Sequence, residues 1–209
     1  MYGKRKRPIL RKLANACTDF RITGGNALAD RIVDKGPEFR SWRIAAFAGA
    51  LLLTDKVDGI LGRASNIPSA EYAAKDSAAD KLVYGRLMTA IGSATSDKRY
   101  YAYNALTDLR DGFVDRKRAE MKEHGLDTTS RFPGKLKTTM QSIGLVADLS
   151  PFGRSHPKSV HAIHVSALAM AAYSGAEIIM NANQQLSGVD LDTSADSVYL
   201  REEMQIPNE

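Results

Sequence analysis

The chain reads as an all-α bundle of about six helices with one run that approaches the length and apolarity to cross a membrane, and three observations predict it. Acidic and apolar residues recur three and four apart, and no strand alternation persists. Turn and stop residues cut the chain into helix-length pieces: Asn66 with Pro68, then Gly125, then Gly153 with Pro157. One run, Ser159 to Ala176 and on past Glu177 into Ile178–Met180, approaches the roughly 20 mostly apolar residues that cross a bilayer.

Taken in order, residues 1–14 are a basic arm with Lys4, Arg5, Lys6, Arg7, Arg11 and Lys12, either a surface tail or an amphipathic juxtamembrane segment. Asn15, Thr18 and Arg21 follow three apart, on one helical face. Trp42 to Gly62 forms the next helix, and Ala64 to Ser69 turns. Ala70 to Ala94 is helical and apolar after Asp80, until the polar run Thr95–Tyr101 breaks it. Asn104 to His124 is a highly charged helix that Gly125 ends. Gly134 to Ala147 is a shorter helix, and Pro151 to Lys158 is a loop. The long apolar helix then runs to about Leu186. From Ser187 to Glu209 the polar, acidic composition predicts a disordered tail. Residues 15–186 therefore make one domain, the simplest reading of a 209-residue chain.

Composition bounds the chemistry. A formal charge of +5 and a pI near 9.3 favour anionic partners: nucleic acid, anionic lipid or phosphorylated substrate. Cys17 is the only cysteine, which excludes an intrachain disulfide and a thiolate metal cluster. The basic N-terminus leads into no apolar segment of the signal-peptide kind. A mean hydropathy of −0.29 by itself suits a soluble helical protein. Ile44 to Thr54, the next most apolar run, is short for a span.

Four carboxylates carry the most information. Asp55 and Asp58 are three apart, Asp76 and Asp80 four apart, so each pair shares a helix face. Like charges so placed repel unless neutralised, and hard divalent cations prefer carboxylate oxygens. A solvated acidic face with Lys56 and Lys81 as partners is the plain alternative.

With Gly59, Gly62 and Arg63, these aspartates resemble the signature of the CDP-alcohol phosphatidyltransferases, D-x-x-D-G-x-x-A-R followed by G-x-x-x-D-x-x-x-D. Gly62 stands where the family has Ala, and Tyr72 where it has Gly, which bears on the shape of the substrate pocket. Asn15, Thr18, Arg21 and Ile22 resemble the family's N-x-x-T-x-x-R-I opening. The resemblance spans residues 15 to 186. It implies two ions, Mg2+ or Mn2+, held by Asp55, Asp58, Asp76 and Asp80; such ions sit roughly 3.5–4 Å apart and clamp attacking and leaving oxygens. It implies that Asp80 also takes the proton of the attacking hydroxyl. Gly59 and Gly62 would admit the cytidine diphosphate, with Arg63 and Thr18 on its phosphates.

A second stretch narrows the acceptor. Arg110, Asp111 and Arg118, then Gly134, Lys135, Lys137 and Thr138, resemble the phosphatidylglycerophosphate synthase branch, with Asp111 for its Glu. That implies CDP-diacylglycerol as donor and glycerol 3-phosphate as acceptor, the dianion bound by Arg110, Arg118, Lys135 and Lys137. It also implies a lipid membrane as partner, the inner cell membrane with the active site toward the cytoplasm, and a homodimer, as family members often are. The basic arm agrees with a cytoplasmic N-terminus. Asp30, Arg31, Asp34 and Lys35 interrupt what the family makes an apolar first span, so this helix is expected to lie at the interface or to be a degenerate span. Two rivals stand beside this reading. One is a relative with another acceptor, such as inositol phosphate, or without activity. The other is a soluble basic helical protein that binds nucleic acid, although four aligned aspartates would repel its phosphates, so no nucleic-acid partner is expected. His161 and His164, three apart on the apolar helix, lack a third ligand nearby and are expected to pack rather than bind metal.

Overall fold

A computed structural model describes residues 7–67, 70–126 and 132–203. Among these residues there are helices and no strand: α1 Pro8–Lys35, α2 Trp42–Ala64, α3 Ala70–Thr95, α4 Arg99–Glu123, α5 Phe132–Leu149, the single turn α6 Pro151–Ser155, and α7 Pro157–Glu203. The all-α expectation holds.

Local chemistry sets the boundaries. Pro8 opens α1 at a position where its missing N–H costs nothing. Gly36, at φ 53°, ends it. The Ser41 hydroxyl caps α2 by accepting from the Ile44 N–H at 3.3 Å. Ser96, at φ 55°, breaks the chain between α3 and α4, and Asp97 accepts the Arg99 N–H at 3.0 Å to start the next helix. That cap lets α4 begin at Arg99, five residues before the expected Asn104. The first helix is unbroken through Asp30, Arg31, Asp34 and Lys35. α7 likewise continues past Leu186, with no proline to stop it before Glu203.

The chain divides into two compact units, Met1–Asp108 with Thr138–Leu168, and Leu109–Lys137 with Ala169–Glu209.

In the first unit α1 packs between α2 and α3. It runs antiparallel to α2: the Arg7 N–H donates to Ser65 O at 2.8 Å at one end, and Phe20 meets Phe47 edge-on further along. It runs parallel to α3: Asp19 pairs with Lys75 at 2.5 Å and Asp30 with Arg86 at 3.0 Å, each pair 56 residues apart. Glycines allow the approach. A Cβ on Gly24 would meet Leu51 Cδ2 at 2.7 Å, and one on Gly25 would meet Val83 Cγ1 at 2.8 Å. The apolar core beyond them includes Leu28, Ile32, Phe39, Leu51, Leu87, Met88, Ile91, Leu145 and Leu149.

A polar network sits in the same core. Asp148, 1% exposed, accepts from the Tyr100 hydroxyl at 2.6 Å and lies 2.7 Å from His164 Nε2. Gly144 leaves room for that ring, since a Cβ there would stand 2.9 Å from His164 Cε1. His161 lies 3.3 Å from the Tyr103 hydroxyl and 3.3 Å from Asp97. Both histidines are thus packing groups with polar partners. Tyr100 and Tyr103 belong to the core, whereas Tyr101 and Trp42 are exposed.

In the second unit, Arg110 reaches α7, donating to Ala171 O at 3.0 Å and to the Ser174 hydroxyl at 2.6 Å. Gly175 makes space for it, because a Cβ there would stand 3.1 Å from Arg110 Nε.

Candidate active site

The antiparallel and parallel pairings around α1 set one level of the first unit. There α1 presents Thr18 and Arg21, α2 presents Asp55 and Asp58, and α3 presents Asp76 and Asp80. The four sequence-selected aspartates converge. Asp55, Asp76 and Asp80 each offer an oxygen, all within 4.8 Å of one another. Asp58 is fully buried beside them; its Oδ2 accepts from the Thr18 hydroxyl at 3.1 Å, while its Oδ1 has no partner.

Arg21 occupies the centre. Its Nη1 lies 2.8 Å from Asp55 and 2.9 Å from Asp80. Its Nη2 lies 3.2 Å from Asp58 and also bonds Asp76. The side chain is 1% exposed. Burial alone would lower its pKa, but Asp80, Asp58 and Asp76 outweigh that and raise it.

One guanidinium leaves four carboxylates under-neutralised. Burial, with Asp76 and Asp55 as further like charges, pushes Asp58 up to about 6 against the opposing pull of Arg21 and Thr18. Asp80 is pushed up to about 7, first by its surroundings and then by Asp55 and Asp76. It is also the most open of the four, with 44% of its side chain exposed. Oxygen-only donors, surplus negative charge and an orphaned buried carboxylate oxygen fit a hard divalent cation, Mg2+ or Mn2+.

The remaining expected residues fall as follows. Gly59 and Gly62 lie on α2 within the turns after Asp55, and Arg63 folds back so that its Nη1 would touch a Cβ on Gly59 at 3.4 Å. Arg63 is exposed and Asn15 points away from the core, being exposed as well. The Tyr72 side chain lies outside the described residues. In the second unit Asp111 accepts from Lys137 Nζ at 2.6 and 2.8 Å and from Arg110 Nη1 at 2.7 Å. Lys137 is 6% exposed, Lys135 is exposed and Arg118 half-buried. Lys137 and Arg110 hold Asp111 below the usual carboxylate range against its burial. Sequence reasoning placed Arg21 on the right face but gave it no role. The signal was its spacing of three from Thr18 in a chain region facing four acids. Asp148 was likewise unforeseen.

A family model for CDP-alcohol phosphatidyltransferases matches residues 11–174. The chain belongs to that family. No curated protein matches it. The family transfers a phosphatidyl group from a CDP-alcohol, is generally dependent on divalent metal and is typically membrane-associated. Pro157–Ser187 of α7 is long and apolar enough to cross a bilayer. Large apolar side chains also face outward on other helices, among them Trp42, Leu53, Ile60 and Leu82, each more than half exposed.

Proposed function

We propose that this protein transfers the phosphatidyl group of CDP-diacylglycerol to glycerol 3-phosphate, giving phosphatidylglycerophosphate and CMP. The observation that carries the transferase reading is the convergence of Asp55, Asp58, Asp76 and Asp80 within a chain that matches the family model. The acceptor reading rests on Arg110, Arg118, Lys135 and Lys137, the residues that resemble the phosphatidylglycerophosphate branch.

Two divalent ions, Mg2+ or Mn2+, held by the four aspartates, would neutralise the pyrophosphate and the charge that develops on it. The chain's own residues do the rest. Asp80 takes the proton of the acceptor hydroxyl as its oxygen bonds to the phosphatidyl phosphorus. The bond from that phosphorus to the CMP oxygen breaks, and CMP leaves. Arg63 grips the donor phosphates by its planar fork, beside the backbone left open at Gly59 and Gly62. Thr18 fixes Asp58, so that one carboxylate oxygen keeps its aim. Lys135 and Arg118 meet the acceptor phosphate, while Asp111 orients Lys137 and Arg110. The protein works as a homodimer in the inner cell membrane, with the tetrad toward the cytoplasm, where a water-soluble acceptor enters.

A second acceptor, inositol phosphate, carries the same phosphate dianion, and the same basic residues would meet it. The deciding experiment is CMP release by the detergent-solubilised protein from CDP-diacylglycerol and Mn2+ or Mg2+. Glycerol 3-phosphate is supplied, omitted, or replaced by inositol phosphate. Release that needs glycerol 3-phosphate supports the first reading, and release with inositol phosphate alone replaces it.

A further inference from the structure

We propose that Arg21 is a displaceable internal cation: its guanidinium holds the four aspartates together while no metal is bound, and it must withdraw from between Asp55 and Asp80 when a divalent cation takes that place. The inference rests on reading the tetrad as a cation site.

The geometry argues for competition rather than support. A residue that supports metal ligands normally bonds their outward-facing atoms and leaves the central space open. Arg21 does the reverse. Its Nη1 bridges Asp55 Oδ1 and Asp80 Oδ1, at 2.8 and 2.9 Å. Those two residues, with Asp76, are the three whose oxygens gather within 4.8 Å. A cation coordinating that trio and an N–H group donating to the same oxygens need the same volume, and their positive charges repel. Thr18, by contrast, holds Asp58 from outside the cluster and has no such conflict.

The molecule also shows why an internal cation is needed. Asp58 is fully buried, and an unpaired carboxylate there would be costly to fold around. Arg21 sits one helical turn before Gly24 and Gly25, where α1 lies close against Leu51 of α2 and Val83 of α3. The guanidinium thus joins three helices beside that close packing. Its Nε is buried without a hydrogen-bond partner, so the side chain is aimed at the acids by charge and not locked from behind. No hydrogen bond at Nε has to break for it to withdraw.

The test measures Mn2+ binding to full-length protein in detergent through loss of the free-Mn2+ electron paramagnetic resonance signal, for wild type, Arg21→Gln and Arg21→Lys. Thermal unfolding of each in chelator and in saturating Mn2+ runs alongside. Displacement predicts that Arg21→Gln binds Mn2+ more tightly, by roughly tenfold or more, since charge-assisted bonds need no longer be broken. It also predicts a lower unfolding temperature than wild type in chelator, with the gap closing in Mn2+. Arg21→Lys should fall between, because one ammonium cannot bridge both halves of the tetrad. Equal or weaker Mn2+ binding by both variants would overturn the proposal and make Arg21 a support for the ligands. If Arg21→Gln does not fold in chelator, the Arg21→Lys affinity decides alone: tighter supports, equal or weaker overturns. A wild type that binds no Mn2+ also overturns it. Loss of CMP release with this binding pattern intact would sink the transferase reading and leave the displacement standing.

Discussion

Replacing Gly25 by alanine should destabilise the protein although it places a better helix former inside α1. The Cβ would stand 2.8 and 2.9 Å from the two Val83 methyls and 3.3 Å from Val83 Cβ. Ordinary carbon contacts lie at about 3.5–4.0 Å, so α1 and α3 must part by roughly 0.7 Å. Val83 is nearly buried and β-branched, and cannot turn aside. Overpacking of this kind costs about 1–3 kcal/mol. Gly to Ala in a helix interior returns about 0.8–1.0 kcal/mol. The expected net loss is therefore about 1 kcal/mol. Gly49→Ala in α2 supplies the control, because a Cβ there meets nothing within 4 Å and only the gain of about 0.8–1.0 kcal/mol remains. Far-ultraviolet circular dichroism of the solubilised protein on heating should move the two variants in opposite directions. Val83→Ala combined with Gly25→Ala should lose less than the sum of the singles, by about 1 kcal/mol. If Gly25→Ala raises the unfolding temperature as Gly49→Ala does, the tight α1–α3 crossing that aligns Arg21 with Asp76 and Asp80 is wrong.

Other outcomes follow from the same geometry. Asp58 and Asp80 at about 6 and about 7 must lose protons before a cation binds fully, so Mn2+ affinity should climb between about pH 5 and 8, with protons released on binding, as calorimetry in buffers of different ionisation heat would show. Without cation the sign reverses: both values lie above the unfolded-state 3.9, so their contribution to stability is full at low pH and is lost as pH rises through about 7, which chelator-treated protein should reveal in its unfolding temperature. Asp80→Asn should lower the transferase rate by roughly 10²–10⁴-fold, and an unchanged rate would remove Asp80 as the base. Asp111→Ala removes the carboxylate that accepts from Lys137 and Arg110 and should cost about 1.5–3 kcal/mol in denaturant unfolding, against a small effect for an exposed control such as Lys56→Ala.

The helical architecture was legible because helices declare themselves locally, through spacing and stops such as Gly125. Where the reading slipped, the cause was a contact one residue could not announce. α4 starts early because Asp97 caps it through its side chain, inside a run that looks like a break. The apolar side of the tetrad's geometry was equally hidden, since Gly24 and Gly25 acquire meaning only against Leu51 and Val83.

The candidate site divides along the same line. Carboxylates three and four apart announce a shared face, and the family's motif adds which faces meet, so Asp55, Asp58, Asp76 and Asp80 were readable as one group. Their counter-charge was not. Counting charges along α2 and α3 points to Lys56 and Lys81, yet Lys56 reaches Asp55 only at 3.4 Å from an exposed position, while Arg21 reaches all four acids from a third helix. An exposed pair of that kind contributes at most about 1 kcal/mol, and it cannot neutralise a buried Asp58. The acids therefore require a cation that comes from outside their own helices. In the sequence, that requirement was read as metal, with Lys56 and Lys81 as the plain alternative. In the folded chain it is met by an arginine, and the same demand for charge that suits the acids to a metal ion explains why the first helix carries one.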